Sequence, residues 1–162
     1  MKVGDKAVDF TLYDTNKQAV SLNDYKGKNV LLLFFPLAFT SVCTEELCNT
    51  RDTLSYYDNV NAVVLGISVD SLYTLGKFKE TLNINFPLLS DFNKETSINY
   101  GSLYETFGFG MKGVSKRSAF VIDKEGVICY AEVLENAGDQ PDFQAIQHTL
   151  IELQKQVKIL EI

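Results

Sequence analysis

The chain has 162 residues, 46% of them hydrophobic, which suits a single domain over 1–162 with a sizeable core. Its formal net charge is -6 and its basic residues are scattered, which argues against nucleic acid, because phosphates require clustered lysine and arginine. No apolar run approaches the roughly 20 residues that cross a bilayer, and the N-terminus lacks a secretory signal. We therefore expect a cytoplasmic protein without membrane partners.

The hydrophobic pattern predicts strands first and then a helix. Residues 9–22 alternate apolar and polar side chains around a polar turn at 14–17, which is typical of a β-hairpin. The segment 29–35 contains an unbroken apolar run, which predicts a strand covered on both faces. After Pro36 the spacing becomes helical through Tyr57.

The rest of the chain continues this alternation. From there the predicted elements are a strand over 62–69, a helix over 71–82, a strand over 86–89, a helix over 93–100, a loop over 107–113, strands over 117–123 and 127–132 that form an antiparallel hairpin, and a helix over 142–157. This order predicts an α/β, thioredoxin-like fold. Its central sheet is mixed, its helices cover both faces, and the N-terminal β-hairpin is an extension.

Three cysteines, Cys43, Cys48 and Cys129, are too few for a disulfide scaffold, so at least one is a candidate for reactivity. Cys43 follows the break at Pro36 and precedes the helical pattern, where the reactive crevice of an open α/β sheet lies. Backbone N–H groups in the first turn of a helix favour a thiolate. Thr40, three residues earlier, either bonds this sulfur or a bound oxygen, or only caps the helix.

The acids Glu45 and Glu46 fall in the predicted first turn and by themselves disfavour a thiolate. A reactive Cys43 therefore needs a cation nearby. Arg117 opens an apolar strand, and Arg51 lies two turns down the helix after Cys43. Local sequence alone favours a solvated charge for an isolated arginine at a strand edge.

The pattern Pro36-x-x-x-Thr40-x-x-Cys43 resembles the active-site signature of the peroxiredoxins, and PLAFTSVC is close to its form in the alkyl hydroperoxide reductase E branch. Glu46, three residues past the cysteine, also matches. Four residues at fixed spacing are far more specific than a lone cysteine. The resemblance therefore outweighs simple helix capping for Thr40.

Two later segments extend the resemblance over nearly the whole chain. FPLLSDFNKETSINYG and KRSAFVIDKEGVICYAE are similar to the corresponding family segments, and Arg117 matches the family's active-site arginine. The resemblance implies a thiol-dependent peroxidase that reduces hydrogen peroxide and organic hydroperoxides through a Cys43 sulfenic acid. It also implies roles for the surrounding groups: shielding of the thiolate by Pro36, binding of the peroxide oxygens by Thr40 and Arg117, stabilisation of charge by the backbone N–H groups of Val42 and Cys43, and orientation of Arg117 by Glu46.

The spacing Cys43-x-x-x-x-Cys48 resembles the bacterioferritin comigratory protein branch, where the second cysteine resolves the sulfenic acid as an intramolecular disulfide. The alternative for Cys48 is a small apolar residue packed under the helix. Five residues of ideal helix separate the two Cα atoms by roughly 8.6 Å. A disulfide needs less than about 7 Å, so the start of the helix must unwind before the two join.

The implied partners are a peroxide, a reductant and a second copy of the chain. The reductant is thioredoxin, glutaredoxin or a low-molecular-weight thiol. We expect a homodimer, with contacts around the loops that carry the aromatic cluster Phe35, Phe39, Phe107 and Phe109, although these side chains also suit a core. No cofactor is expected, and no spacing suggests zinc.

Two other functions stay open, one enzymatic and one non-enzymatic. A thiol-disulfide oxidoreductase on the same fold normally has a CxxC pair, which this sequence lacks. A non-enzymatic redox sensor would use one-time oxidation of Cys43. Cys129 is expected to be inert packing, and His148, the single histidine, to lie on the surface.

Overall fold

The structure is a computed structural model that describes residues 1–160, with side chains through residue 156. Its strands are β1 (Thr11–Asp14), β2 (Ala19–Ser21), β3 (Asn29–Phe34), β4 (Ala62–Ser68), β5 (Leu88–Ser90), β6 (Ser118–Ile122) and β7 (Ile128–Val133). Its α-helices are α1 (Ser41–Asp52), α2 (Leu54–Asn59), α3 (Leu72–Leu82), α4 (Glu95–Asn99) and α5 (Phe143–Leu160). None of these helices combines the length and hydrophobicity of a membrane span.

The strands form one mixed sheet in the order β2-β1-β5-β4-β3-β6-β7. β3, β4 and β5 are parallel, whereas β6 is antiparallel to β3 and β7 is antiparallel to β6. The hairpin of β1 and β2 extends the sheet beyond β5. The predicted α/β, thioredoxin-like fold with an N-terminal hairpin is therefore confirmed.

The central strand β3 is buried on both faces, as its unbroken apolar run predicts. Because side chains alternate along a strand, Leu31 and Leu33 belong to one core and Leu32 and Phe34 to the other. The first core packs under α1, α2, α3 and α5. The second lies under the N-terminal segment and includes Tyr100, the residue that follows α4.

The predicted helix from Pro36 through Tyr57 is wrong in two details. The structure has a loop over residues 36–40, hereafter the active-site loop, and α1 begins only at Ser41. A break at Thr53, whose ψ of 15° is not helical, then separates α1 from α2. Since α1 begins at Ser41, Glu45 and Glu46 lie in its second turn instead of its first. They therefore do not occupy the positive end of the helix dipole.

Candidate active site

The active-site loop joins the carboxyl end of β3 to α1. Pro36 is buried, and Cys43, the third residue of α1, has no exposed surface. Thr40 stands immediately before the helix, but its side chain makes no capping hydrogen bond. Its hydroxyl instead donates to the carbonyl oxygen of Leu37 at 2.7 Å, which closes the loop on itself. Capping by the Thr40 side chain is thus not the arrangement observed.

Arg117 places a buried cationic side chain beside Cys43. Its guanidinium is 2% exposed, and its Nη2 donates to the Cys43 sulfur at 3.2 Å. Nη1 donates to Oε2 of Glu46 at 2.7 Å, and Nε donates to the carbonyl oxygen of Ala137 at 3.0 Å. The solvated charge that local sequence favours is therefore wrong for Arg117. Arg51 makes its ion pair with Asp52 instead.

Glu46 is fully buried, and its Oε1 has no hydrogen-bond partner among the described residues. Burial raises the pKa of this carboxyl to about 7, and the opposing effect of Arg117 only partly offsets it. One buried cation thus faces two acidic groups, the carboxyl and the thiol of Cys43. The guanidinium donates to both groups, and the carboxyl of Glu46 changes its charge near neutral pH.

A small apolar cluster adjoins this polar centre. It contains Val69, Tyr104 and Val114, with Leu37 of the active-site loop and Ala137 packed against it. Such surroundings exclude water and strengthen the electrostatic interactions of Arg117. The site can therefore stabilise negative charge on sulfur and oxygen in a water-poor environment.

The other two thiols differ in their surroundings. Cys48 is a half-buried free cysteine on the same helix as Cys43. Cys129 lies on β7, and burial, assisted by Asp123, raises its pKa to about 11. A thiol with so high a pKa is almost entirely protonated at neutral pH, which agrees with the expectation of an inert Cys129. His148 is exposed on α5, and the residues described contain no cluster of metal-ligating side chains.

The four phenylalanines of the predicted aromatic cluster do not form one group. Phe35 is fully buried, and Phe39 is 54% exposed, although both rings contact Phe78. Phe107 instead stacks on Tyr104, and Phe109 extends completely into solvent. The expectation of a single cluster is wrong because two of the rings belong to a separate loop between α4 and β6.

Sequence reasoning missed Asp70, which contacts the active-site loop directly. Its Oδ2 accepts a hydrogen bond from the backbone N–H of Ala38 at 2.8 Å and another from the Ser68 hydroxyl at 2.6 Å. The available signal was its position two residues after β4, at the carboxyl end of a parallel strand, where functional groups of α/β sheets gather.

The fold and this site define the class of protein: a thioredoxin-like domain with a buried cysteine paired to an arginine, which is typical of a thiol-based redox enzyme. The model of the AhpC/TSA family matches residues 3–131. The chain therefore belongs to the AhpC/TSA family and is a peroxiredoxin, a thiol-dependent peroxidase.

Individual relatives support this family. Alkyl hydroperoxide reductase E of Mycobacterium bovis is 42% identical over 136 residues, which cover 82% of this chain and 86% of that protein. Peroxiredoxin Bcp of Bacillus subtilis is 39% identical over 128 residues, 78% of this chain and 81% of that protein. The crystal structure of peroxidoxin BcpB from Mycobacterium tuberculosis matches with a TM-score of 0.83 and 31% identity, covering 94% and 97% of the two chains.

Proposed function

We propose that the protein reduces hydrogen peroxide and organic hydroperoxides at Cys43. The observation that carries this proposal is the position of Arg117, which donates at once to the Cys43 sulfur and to Glu46. The thiolate sulfur forms a bond to one peroxide oxygen while the O–O bond breaks. The sulfur is thereby oxidised to sulfenic acid, and the departing oxygen takes up a proton and leaves as water or an alcohol.

The neighbouring groups have complementary roles in this proposal. Pro36 shields the sulfur, and Thr40 and Arg117 bind the peroxide oxygens. The N–H groups of Val42 and Cys43 stabilise developing charge, because the first N–H groups of a helix have no partner within it. Glu46 orients the guanidinium through its charge-assisted hydrogen bond.

Cys48 resolves the sulfenic acid in the second half of the proposed cycle. Its thiol attacks the Cys43 sulfur, a disulfide forms, and water leaves. Both cysteines lie on α1, five positions apart, where ideal helix geometry separates the Cα atoms by roughly 8.6 Å. Because a disulfide requires less than about 7 Å, the first turn of α1 and the loop before it must open. Few backbone bonds hold a first turn, which favours opening at this place in the helix.

Two variants test the cycle. Cys43→Ser should abolish peroxide consumption, because a hydroxyl is not ionised near neutral pH, and full turnover by this variant would refute the proposal. Cys48→Ser should accumulate a Cys43 sulfenic acid after one equivalent of peroxide. Mass spectrometry of the wild-type protein should instead find a disulfide; a stable sulfenic acid there would assign Cys48 to packing.

A reductant must then supply two electrons to the disulfide. We propose thioredoxin, glutaredoxin or a low-molecular-weight thiol in the cytoplasm, where thiols are kept reduced. A peroxidase assay with the three donors compared side by side identifies the donor. Repeated turnover also separates an enzyme from a sensor that is oxidised once.

We further propose a homodimer with contacts near the active-site loop. Phe39 and Phe109 support it, because both side chains are exposed and contact with a second copy would remove their apolar surface from water. Size-exclusion chromatography should give the mass of two chains. A monomer at micromolar concentration would contradict this assembly.

A further inference from the structure

Asp70 links the active-site loop to the ends of two strands. Its carboxylate Oδ2 accepts hydrogen bonds from the Ala38 N–H at 2.8 Å and from the hydroxyl of Ser68, the last residue of β4, at 2.6 Å. Its main-chain oxygen accepts a bond from the hydroxyl of Ser90, the last residue of β5, at 2.6 Å. Asp70 is therefore held by the sheet, and its carboxylate in turn holds the loop.

The loop that it holds has a disfavoured backbone. Phe39, the residue after Ala38, has a φ of 65°, in the left-handed region that residues with a Cβ atom rarely adopt. Its ring is 54% exposed and packs edge-to-face on Phe78, with the centroids 5.1 Å apart. A conformation of this kind persists only where neighbouring contacts impose it. The bond from Asp70 is the contact adjacent to the disfavoured residue.

We propose that Asp70 is a positioning residue that stabilises the closed form of the active-site loop, in which Thr40 stands immediately before α1, the helix that carries Cys43, and can bind the peroxide. The same bond opposes the open form in which Cys43 and Cys48 join. The effect of Asp70 on the open form rests on the proposed role of Cys48. Asp70 contacts neither the sulfur nor Arg117 and acts through the backbone of Ala38.

Loss of the bond between Asp70 and the Ala38 N–H should have opposite effects on the two steps of the cycle. A bond present only in the closed form shifts the equilibrium toward that form, so its loss favours the open form by the same free energy. Loss of the bond should therefore slow sulfenic acid formation and accelerate disulfide formation. A variant that only destabilises the fold would not slow the first step and accelerate the second.

The first measurement is made in a Cys48→Ser background, where resolution plays no part. Stopped-flow reaction with hydrogen peroxide should be roughly tenfold slower or more after Asp70→Ala, because displacement of a reacting group by about 1 Å costs on the order of a hundredfold. Alkylation of Cys43 by iodoacetamide should not slow, because it needs no peroxide site. A peroxide rate within about twofold of the parent would overturn the positioning role.

Asp70→Asn and Ser90→Ala are the matched variants. Asparagine keeps an oxygen for the Ala38 N–H, so the peroxide rate should recover to within about threefold of the parent. Ser90→Ala removes a hydrogen bond to the same residue but not the one to the loop, and should slow the peroxide reaction far less than Asp70→Ala does. Equal slowing by Ser90→Ala and Asp70→Ala would assign the effect to the fold alone and refute the proposal.

The second measurement follows disulfide formation by rapid quench and mass spectrometry with Cys48 present. From the sulfenic acid, Asp70→Ala should form the disulfide several-fold faster than the wild-type protein. Slower disulfide formation in Asp70→Ala would refute the proposal that Asp70 opposes opening of the active-site loop. Absence of the disulfide in the wild-type protein would refute the role of Cys48, while the peroxide measurement would still decide the positioning role.

Discussion

Arg117 connects groups that lie 71 and 74 positions away along the chain, Glu46 and Cys43. A guanidinium suits this position because its N–H donors form a rigid planar fork, and three of its nitrogens are used here. The site also needs a side chain that stays charged when it is buried. Arginine keeps its charge there, whereas lysine readily loses it. Arginine at this position thus allows one buried cation to bind three separate groups.

Arg117→Lys tests this requirement. One ammonium nitrogen cannot reach the sulfur, Glu46 and the Ala137 carbonyl together, and loss of a hydrogen bond to a charged group costs about 1.5–3 kcal/mol. The rate constant for sulfenic acid formation should therefore fall by roughly 10-fold to 100-fold in stopped-flow measurements. Arg51→Lys, on the same helix as Cys43, is the control and should react at the wild-type rate. An unchanged rate for Arg117→Lys would contradict the role of the fork.

Glu46→Gln tests the effect of the buried carboxyl on stability. Because the pKa of Glu46 in the folded protein is about 7, above its ordinary value of 4.5, the stability from this group is fully present below pH 4.5 and is lost as the pH rises to about 7. The wild-type free energy of unfolding should fall over this range by up to about 3 kcal/mol more than that of the variant, which cannot ionise.

Denaturant unfolding at pH 5 and pH 8 measures this difference. Glu45→Gln is the matched control, since Glu45 is the exposed neighbour of Glu46 on α1. It should change the pH dependence little. Equal pH dependence for wild type and Glu46→Gln would mean that burial does not raise the pKa of Glu46 as described.

At the scale of elements, a buried hydrogen-bonded chain connects α4 with the segment before β6. Asp91 accepts bonds at 2.7 Å from both the backbone N–H and the hydroxyl of Ser97, and the Ser97 hydroxyl lies 2.7 Å from that of Ser115. All three residues are almost completely buried. Ser115 lies two residues before Arg117, so this chain fixes the backbone from which the guanidinium extends.

Ser97→Ala should therefore destabilise the protein. It leaves the buried Ser115 hydroxyl without its acceptor, which costs about 1–3 kcal/mol in the free energy of unfolding. The double variant Ser97→Ala/Ser115→Ala removes both hydroxyls and should recover part of that loss, because no orphaned donor then remains. Urea unfolding measures all three proteins, with the exposed Ser55→Ala as control. If the double variant lost as much unfolding free energy as the two single variants together, the two hydroxyls would not be coupled as described.

At the scale of the whole molecule, the sheet separates two hydrophobic cores. Cys43 and the helices that surround it lie over one face, and Tyr100 lies in the core of the other. Tyr100 packs against Phe10, Phe34 and Phe120 at ring distances of 5.3–6.5 Å. Its hydroxyl donates to the carbonyl oxygen of Val8 at 2.6 Å, which fastens the N-terminal segment over the second core.

Tyr100→Phe should lower stability without changing catalysis. Loss of the bond to Val8 costs about 1 kcal/mol, which corresponds to a decrease in Tm of roughly 2–4 °C for a chain of this size. The peroxide rate should stay at the wild-type value, because the lost bond lies on the face opposite Cys43. Tyr73→Phe, at an exposed tyrosine, is the thermal control. A lower peroxide rate in Tyr100→Phe would mean that the core on the far face of the sheet does affect the site at Cys43.

Much of this architecture is predictable from local pattern. The apolar runs of β3 and β4 predict buried strands because every side chain there must leave water. The break at Pro36 and the return of helical spacing place Cys43 near the start of a helix, and the motif that includes Thr40 and Glu46 resembles one family. The break at Thr53 has no comparable signal, since neither glycine nor proline marks it.

The sequence by itself determined the alternation of strands with helical segments, the candidate cysteine and the resemblance to the peroxiredoxins, because short-range spacing carries each of these. Only the tertiary structure decided that Arg117 is buried against Cys43 and Glu46, and that Asp70 holds the active-site loop. These contacts join residues 32 to 74 positions apart. Their formation depends on which strand ends meet at one edge of the sheet, and no local pattern of hydrophobicity or charge contains that information.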